Sequence, residues 1–171
     1  MKDLYISGID WESIADGEGI RTVIFVSGCK HHCNGCHNQE TWNYIYGTKM
    51  TESIIQSILE QTETDYISGI TLSGGCPMCN AESVLPLVKA FRKKYGKKKN
   101  IWCYCGELFE DIIKDKTSYK YKLLKMVDIL VDGPFQLDKR NTAIPFRGST
   151  NQQIINVSKS LKSSKAVIMD F

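Results

Sequence analysis

Arg21-Thr22-Val23-Ile24-Phe25-Val26-Ser27-Gly28-Cys29 is the stretch on which the fold turns. Residues 21–27 hold a short apolar run, rich in β-branched and aromatic side chains, of the kind that forms a buried strand. The run stops at a serine, a glycine and a cysteine. Three other segments repeat the pattern, at residues 69–73, 100–104 and 127–131. They end in Ser73-Gly74-Gly75-Cys76, Cys103-Tyr104-Cys105-Gly106 and Asp132-Gly133. Helical periodicity fills the intervals. Strands alternating with helices predict an α/β fold with a mostly parallel sheet. In such folds ligands bind at the C-terminal ends of the strands. Six of the seven cysteines are in or beside these ends and Cys36 follows closely, so the pattern predicts one site.

The helices carry their own signals. Thr51 is placed to cap a helix with Ile54, Ile55, Ile58 and Leu59 on one face. A second helix is expected over residues 83–95, with Val84, Leu85, Leu87, Val88 and Phe91 inward. Pro86 argues that it starts late, because proline is tolerated in the first turn, and Gly96 is a natural stop. A third helical region covers residues 107–126, with a break expected near Thr117-Ser118.

Composition bounds the function. A chain of 171 residues predicts a single domain, residues 1–171. Hydrophobic residues at 42% and charged residues at 24% exclude wholesale disorder. The net charge, 22 − 19 = +3, gives no reason to expect a polyanion partner. No apolar run approaches the ~20 residues that span a bilayer. Met1-Lys2-Asp3-Leu4-Tyr5 lacks the apolar core of a secretory signal, so a cytoplasmic location is expected. Seven cysteines, an odd and clustered number, favour metal or redox chemistry over a disulfide framework.

Cys29-Lys30-His31-His32-Cys33-Asn34-Gly35-Cys36 is a C-x3-C-x2-C run directly after a strand. Thiolates are soft ligands that select zinc or iron–sulfur clusters. Clusters used for electron transfer normally take four cysteines, whereas three leave one iron open to a substrate. Zinc is the competing reading, with His31, His32 or His37 as fourth ligand.

These residues resemble the radical S-adenosylmethionine superfamily, and within it the activating proteins of anaerobic ribonucleoside-triphosphate reductase. Asp16-Gly17-Glu18-Gly19-Ile20-Arg21 is similar to the family's DGPGxR segment, with Glu18 in the proline's place. Cys36-His37-Asn38-Gln39-Glu40-Thr41-Trp42 follows its CxNxxTW pattern, and Thr71-Leu72-Ser73-Gly74-Gly75 its glycine motif. Ile101-Trp102, Asp132-Gly133-Pro134-Phe135 and Arg147-Gly148-Ser149-Thr150-Asn151-Gln152 match later segments in order. Gly35 fits the reductase-activating branch better than the pyruvate formate-lyase-activating one.

The resemblance implies an incomplete parallel β/α barrel with a 4Fe–4S cluster on Cys29, Cys33 and Cys36. S-adenosylmethionine would chelate the open iron, contacted by Gly74 and Gly75 at its methionine end and by Gly35, Cys36 and His37 at its adenosyl end. One electron would cleave the sulfonium, and the 5′-deoxyadenosyl radical would take hydrogen from a glycine in the radical loop of the reductase's large subunit. Cluster and S-adenosylmethionine carry the chemistry, so no catalytic side chain is expected. A reduced flavodoxin or similar protein would supply the electron; neither nucleic acid nor membrane is expected as a partner.

Two features depart from the pattern or stand outside it. Cys76 takes the place of an acid that follows the paired glycines, and a thiol is a weaker acceptor for an ammonium group. Cys76, Cys79, Cys103 and Cys105 form either a second metal site or a set of unligated thiols. The basic run Arg92-Lys93-Lys94-Tyr95-Gly96-Lys97-Lys98-Lys99 is either a solvated helix end or a docking patch for an acidic electron donor. No array of stacking aromatics accompanies it, which argues against nucleic acid.

Overall fold

Side chains alternate across a strand, and that alternation sorts the sheet of this protein into two different faces. The computed structural model describes residues 2–171. Among these residues seven strands form one sheet: β1 (Tyr5–Ser13), β2 (Ile20–Val26), β3 (Thr48–Lys49), β4 (Ile67–Gly74), β5 (Asn100–Tyr104), β6 (Ile129–Asp132) and β7 (Gln153–Asn156). The order is β3-β1-β2-β4-β5-β6-β7, and the sheet does not close. The central strands β2, β4, β5 and β6 pair in parallel. The outer strands β1, β3 and β7 are antiparallel to their neighbours.

On one face Ile24, Val26, Ile70, Leu72, Ile101, Leu130 and Ile155 join the main hydrophobic core. The helices α1 (Glu52–Gln61), α2 (Ala81–Tyr95), α3 (Phe109–Ile112), α4 (Tyr119–Leu124) and α5 (Val157–Ser163) contribute to the same core. The opposite face carries a smaller cluster of Trp102, Ile129, Val131 and Ile154, against which Tyr104 and Phe146 pack. Arg21 is fully buried there, its guanidinium 5.6 Å from the Trp102 ring centre. It donates to the carbonyls of Ile70 (2.8 Å) and Glu18 (2.9 Å) and to Thr71 Oγ1 (2.8 Å). Desolvation lowers its pKa to about 10, so it remains a cation at neutral pH. The Asp16–Arg21 motif thus anchors the entry to β2 inside the molecule.

The Thr51 cap forms as expected, its hydroxyl accepting from the Ile54 amide. The region after β5 breaks into α3 and α4, with Ser118 capping the second. The late start expected for the second helix does not hold. A 3-10 turn, Pro77–Asn80, leads directly into α2, and Pro86 lies inside the helix. An interior proline costs about 3 kcal/mol. Val84, Leu85, Leu87, Val88 and Phe91 are all buried, and each such side chain returns roughly 1.5–3 kcal/mol. Burial therefore outweighs the lost hydrogen bond.

The basic run lies at the N-terminal edge of the parallel strands, opposite the predicted site, and is largely bonded to the protein itself. Arg92 binds the Met126 carbonyl (2.9 Å) and the Asp128 carboxylate. Lys97 pairs with Asp128 (2.6 Å), and Lys99 donates to the carbonyls of Thr64 and Ile67. These contacts favour the structural reading of the run over a docking patch. Among the described residues no helix is long and apolar enough to cross a membrane.

Candidate metal centre

Parallel pairing brings the ends of β2, β4, β5 and β6 to one edge, with Val26 beside Gly74 and Tyr104 beside Val131. The cysteine loop leaves β2 at this edge and is pinched at its base. The Gly28 amide donates to the Thr41 carbonyl (2.7 Å) and the Cys29 amide to that of Trp42 (3.3 Å). Thr41 is buried and its hydroxyl donates to the Asn38 carbonyl (2.6 Å). Trp42 stacks on His32 with ring centres 4.4 Å apart. The CHNQETW segment is thus the clasp that closes the loop. At its tip the Cys36 amide donates to the Cys33 carbonyl (3.1 Å), and the Asn38 amide to the Cys36 sulfur (3.4 Å).

Cys29, Cys33, Cys36, His37, Gly74 and Gly75 all line one cavity of about 220 Å3. Cys29 is buried, while Cys33 and Cys36 are half-buried and accessible. Gly35 is not in the wall: it turns at φ +75° beneath Leu137. A larger cavity of about 780 Å3 lies beside α2 and α3, but Cys79 is the only cysteine it contains. Thiol chemistry therefore selects the smaller one.

The paired glycines have a reason within the chain itself. A Cβ on Gly75 would come 2.8 Å from the Gly28 carbonyl oxygen, and one on Gly74 2.6 Å from that of Val26. The backbones of the β2 and β4 ends touch here, with the Gly75 amide donating to the Val26 carbonyl (2.7 Å). The Arg147–Gln152 motif is a self-bonded turn fixed to the β6 end. Gln152 Oε1 accepts from the Gly148 and Ser149 amides, and its Nε2 donates to the Gly133 carbonyl (3.1 Å).

The donor set suits a cluster better than one ion. Ligands of a single tetrahedral ion must sit within about 4 Å of one another. The sulfurs of Cys29, Cys33 and Cys36 do not form such a group. A four-iron cube holds one thiolate at each separate corner and accommodates wider spacing.

Of the four other thiols, Cys103 is buried in the helix-side core. Cys105 lies past the end of β5 and faces Cys76, with the sulfurs 3.8 Å apart. Cys79 is 3.7 Å from His31 Nε2. Hydrogen bonds from the Cys29 and Cys76 thiols hold Cys79 well below the usual thiol range; the Cys79 contact and burial push Cys29 up. Sequence spacing paired Cys103 with Cys105 and missed the approach of His31. Cys103 and Cys105 do share the helix-side face, as their spacing predicts, and loop folding brings His31 to Cys79.

A family model described as a 4Fe-4S single cluster domain matches residues 15–155. A protein of Haemophilus influenzae is 34% identical over 145 residues, covering 82% of this chain and 90% of that protein. One of Enterobacteria phage T4 is 35% identical over 141 residues, covering 81% and 85%. The Escherichia coli K12 relative is 32% identical over 145 residues, covering 82% and 91%. All three are named anaerobic ribonucleoside-triphosphate reductase-activating protein. The chain belongs to this family. Its 4Fe-4S domain spans the clasped loop, the paired glycines and all seven cysteines.

Asp132, at the end of β6, is a titrating group beside the site. It is fully buried, Oδ2 accepts from the Phe109 amide (2.8 Å) and Oδ1 has no partner. Burial pushes its carboxyl up to about 6. An unfolded aspartate titrates near 3.9. Between these values the folded chain binds more protons, so this contribution to stability is full below about pH 4 and lost as pH rises through about 6. Asp132→Asn keeps the acceptor and removes the charge. Its melting temperature should therefore gain on the parent's between pH 5 and 7; equal offsets at both pH values would refute the assignment.

Proposed function

We propose that this protein activates an anaerobic ribonucleoside-triphosphate reductase by reductive cleavage of S-adenosylmethionine, leaving a glycyl radical on the reductase's large subunit. Family membership supports the partner. The observation that carries the chemistry is the shared chamber: three loop cysteines, spaced too widely for one ion, face Gly74 and Gly75 at the ends of parallel strands. The 4Fe–4S cluster, when bound, supplies one electron and an open iron to the sulfonium substrate.

The chain's own residues do the holding and positioning. Cys29, Cys33 and Cys36 bind the cluster, and the Thr41–Trp42 clasp keeps their loop over the strand ends. Gly74 and Gly75 keep the wall free of side chains on the methionine side. Cys36 and His37 face the adenosyl side, with the His37 ring 6.0 Å from that of Phe135, and Gly35 makes the turn that presents Cys36. In this reading the unclosed sheet serves as an incomplete radical S-adenosylmethionine barrel, with residues 1–171 as one domain; the parallel pairing of its central strands supports it. Its open side admits the reductase's glycine loop. Tyr44, Ile45 and Leu137 are exposed near the cysteine loop and give that partner an apolar rim. A reduced flavodoxin-like donor would act in the same cytoplasmic setting.

Anaerobically reconstituted protein should form 5′-deoxyadenosine from S-adenosylmethionine and dithionite. With the reductase subunit added, electron paramagnetic resonance should show a glycyl radical. A protein that makes no 5′-deoxyadenosine with a full complement of iron overturns the proposal.

A further inference from the structure

A second set of ligands stands beside the cysteine loop. His31 Nε2, Cys76 Sγ and Cys79 Sγ lie within 4.8 Å of one another. His31 comes from the loop after β2, Cys76 from just beyond β4, and Cys79 from the 3-10 turn that precedes α2. Cys105, past the end of β5, adds its sulfur 3.8 Å from that of Cys76. The geometry points to a second metal site in the wall of the cysteine-loop cavity, in which His31, Cys76 and Cys79 bind one zinc ion and Cys105, beside Cys76, completes the set.

Two of the spacings match a tetrahedral ion, and Cys105 closes on His31 and Cys79 when the ion binds. Zinc binds sulfur at about 2.3 Å and imidazole nitrogen at about 2.0–2.1 Å, so tetrahedral ligands lie about 3.8 Å (S to S) and about 3.6 Å (S to N) apart. The structure has 3.8 Å for Cys76 to Cys105 and 3.7 Å for Cys79 to His31. A disulfide would bring the sulfurs to about 2.0 Å, and all seven cysteines are free. Thiolates with one imidazole make a donor set typical of zinc.

Surrounding contacts hold the ligands in place. The His31 ring lies on Gly106, where a Cβ would come 2.5 Å from ring carbon Cδ2. Only glycine beside Cys105 lets the imidazole approach. The Glu107 amide donates to the Cys105 sulfur (3.1 Å), the kind of outer contact that orients a metal thiolate. Asn80 Nδ2 donates to the carbonyls of Cys76 (3.0 Å) and Gly28 (2.8 Å), fixing the Cys76–Cys79 turn to the base of the cysteine loop. Four protein ligands leave no open position, so the ion is a structural clamp rather than a reaction centre. It ties the loop after β2 to the ends of β4 and β5. This site does not depend on the proposed reaction.

The test uses the full chain with Cys33→Ser and Cys36→Ser, which disables the cluster loop and leaves the four ligands intact. Cobalt(II), added anaerobically, should bind once per chain and give the intense visible bands of a tetrahedral thiolate site. His31→Ala or Cys79→Ser in that background should weaken binding about a hundredfold or more, with circular dichroism confirming the fold; His31 is partly exposed and safe to truncate. The unaltered chain, reconstituted with iron and zinc, should hold four irons and one zinc. No cobalt site in the double variant, an affinity unmoved by both substitutions, or four irons without zinc would each overturn the assignment.

Discussion

Cys33→Ala should reduce 5′-deoxyadenosine formation to background, a loss of at least about a thousandfold, and should leave a folded chain that retains little iron. Cys33 is half-buried at the loop tip, and the contact its residue makes there is a backbone one, accepting from the Cys36 amide. Removing an accessible sulfur from such a position should change stability by about 1 kcal/mol or less. Lost activity with an unchanged melting profile therefore reports lost cluster binding. Iron analysis and a 5′-deoxyadenosine assay on the same sample check it. Full activity in the variant would remove Cys33 from the ligand set.

Trp102→Ala should produce the largest loss of stability. Trp102 is fully buried at the centre of the smaller cluster, with Phe146 5.3 Å away and the Arg21 guanidinium against its ring. The Asp16–Arg21 turn also rests on it, because a Cβ on Gly17 would come 2.8 Å from the indole. Truncating a buried tryptophan costs about 3–5 kcal/mol, which for a chain of this size lowers the melting temperature by roughly 6–20 °C. Trp102→Phe should recover a good part of that. A shift of only about 1 °C for the alanine variant would mean that this face is not a packed core.

The four central strands were legible because each is a buried apolar run that stops at glycine. The parallel arrangement and the common edge followed from their alternation with helices. β1 was not legible: Gly8, Asp10, Trp11 and Glu12 interrupt its alternation, and its pairing with β2 is irregular at two points. β7 spans four residues after a polar turn, too few to show a period. Its place is set by pairing with β6. Pro86 misled because a local rule about proline was weighed without the five buried side chains around it.

The cysteine loop and glycine pair were legible as motifs, since their spacing is local. The reasons the structure gives are not local. Gly75 is required by the Gly28 carbonyl 47 positions earlier in the chain, and Trp42 by the ring of His32. The His31–Cys79 approach joins residues 48 apart, which no spacing rule reaches. Cys103 and Cys105 share the helix-side face, as a spacing of two predicts, although the strand itself ends at Tyr104.

The central claim is that a three-cysteine cluster offers one iron to S-adenosylmethionine. Electron paramagnetic resonance of the reduced protein, recorded before and after adding S-adenosylmethionine, tests it most directly. The account predicts a changed cluster spectrum, with coupling to the substrate's amino nitrogen when it is isotopically labelled. A cluster signal identical in both samples, at saturating S-adenosylmethionine, would contradict it.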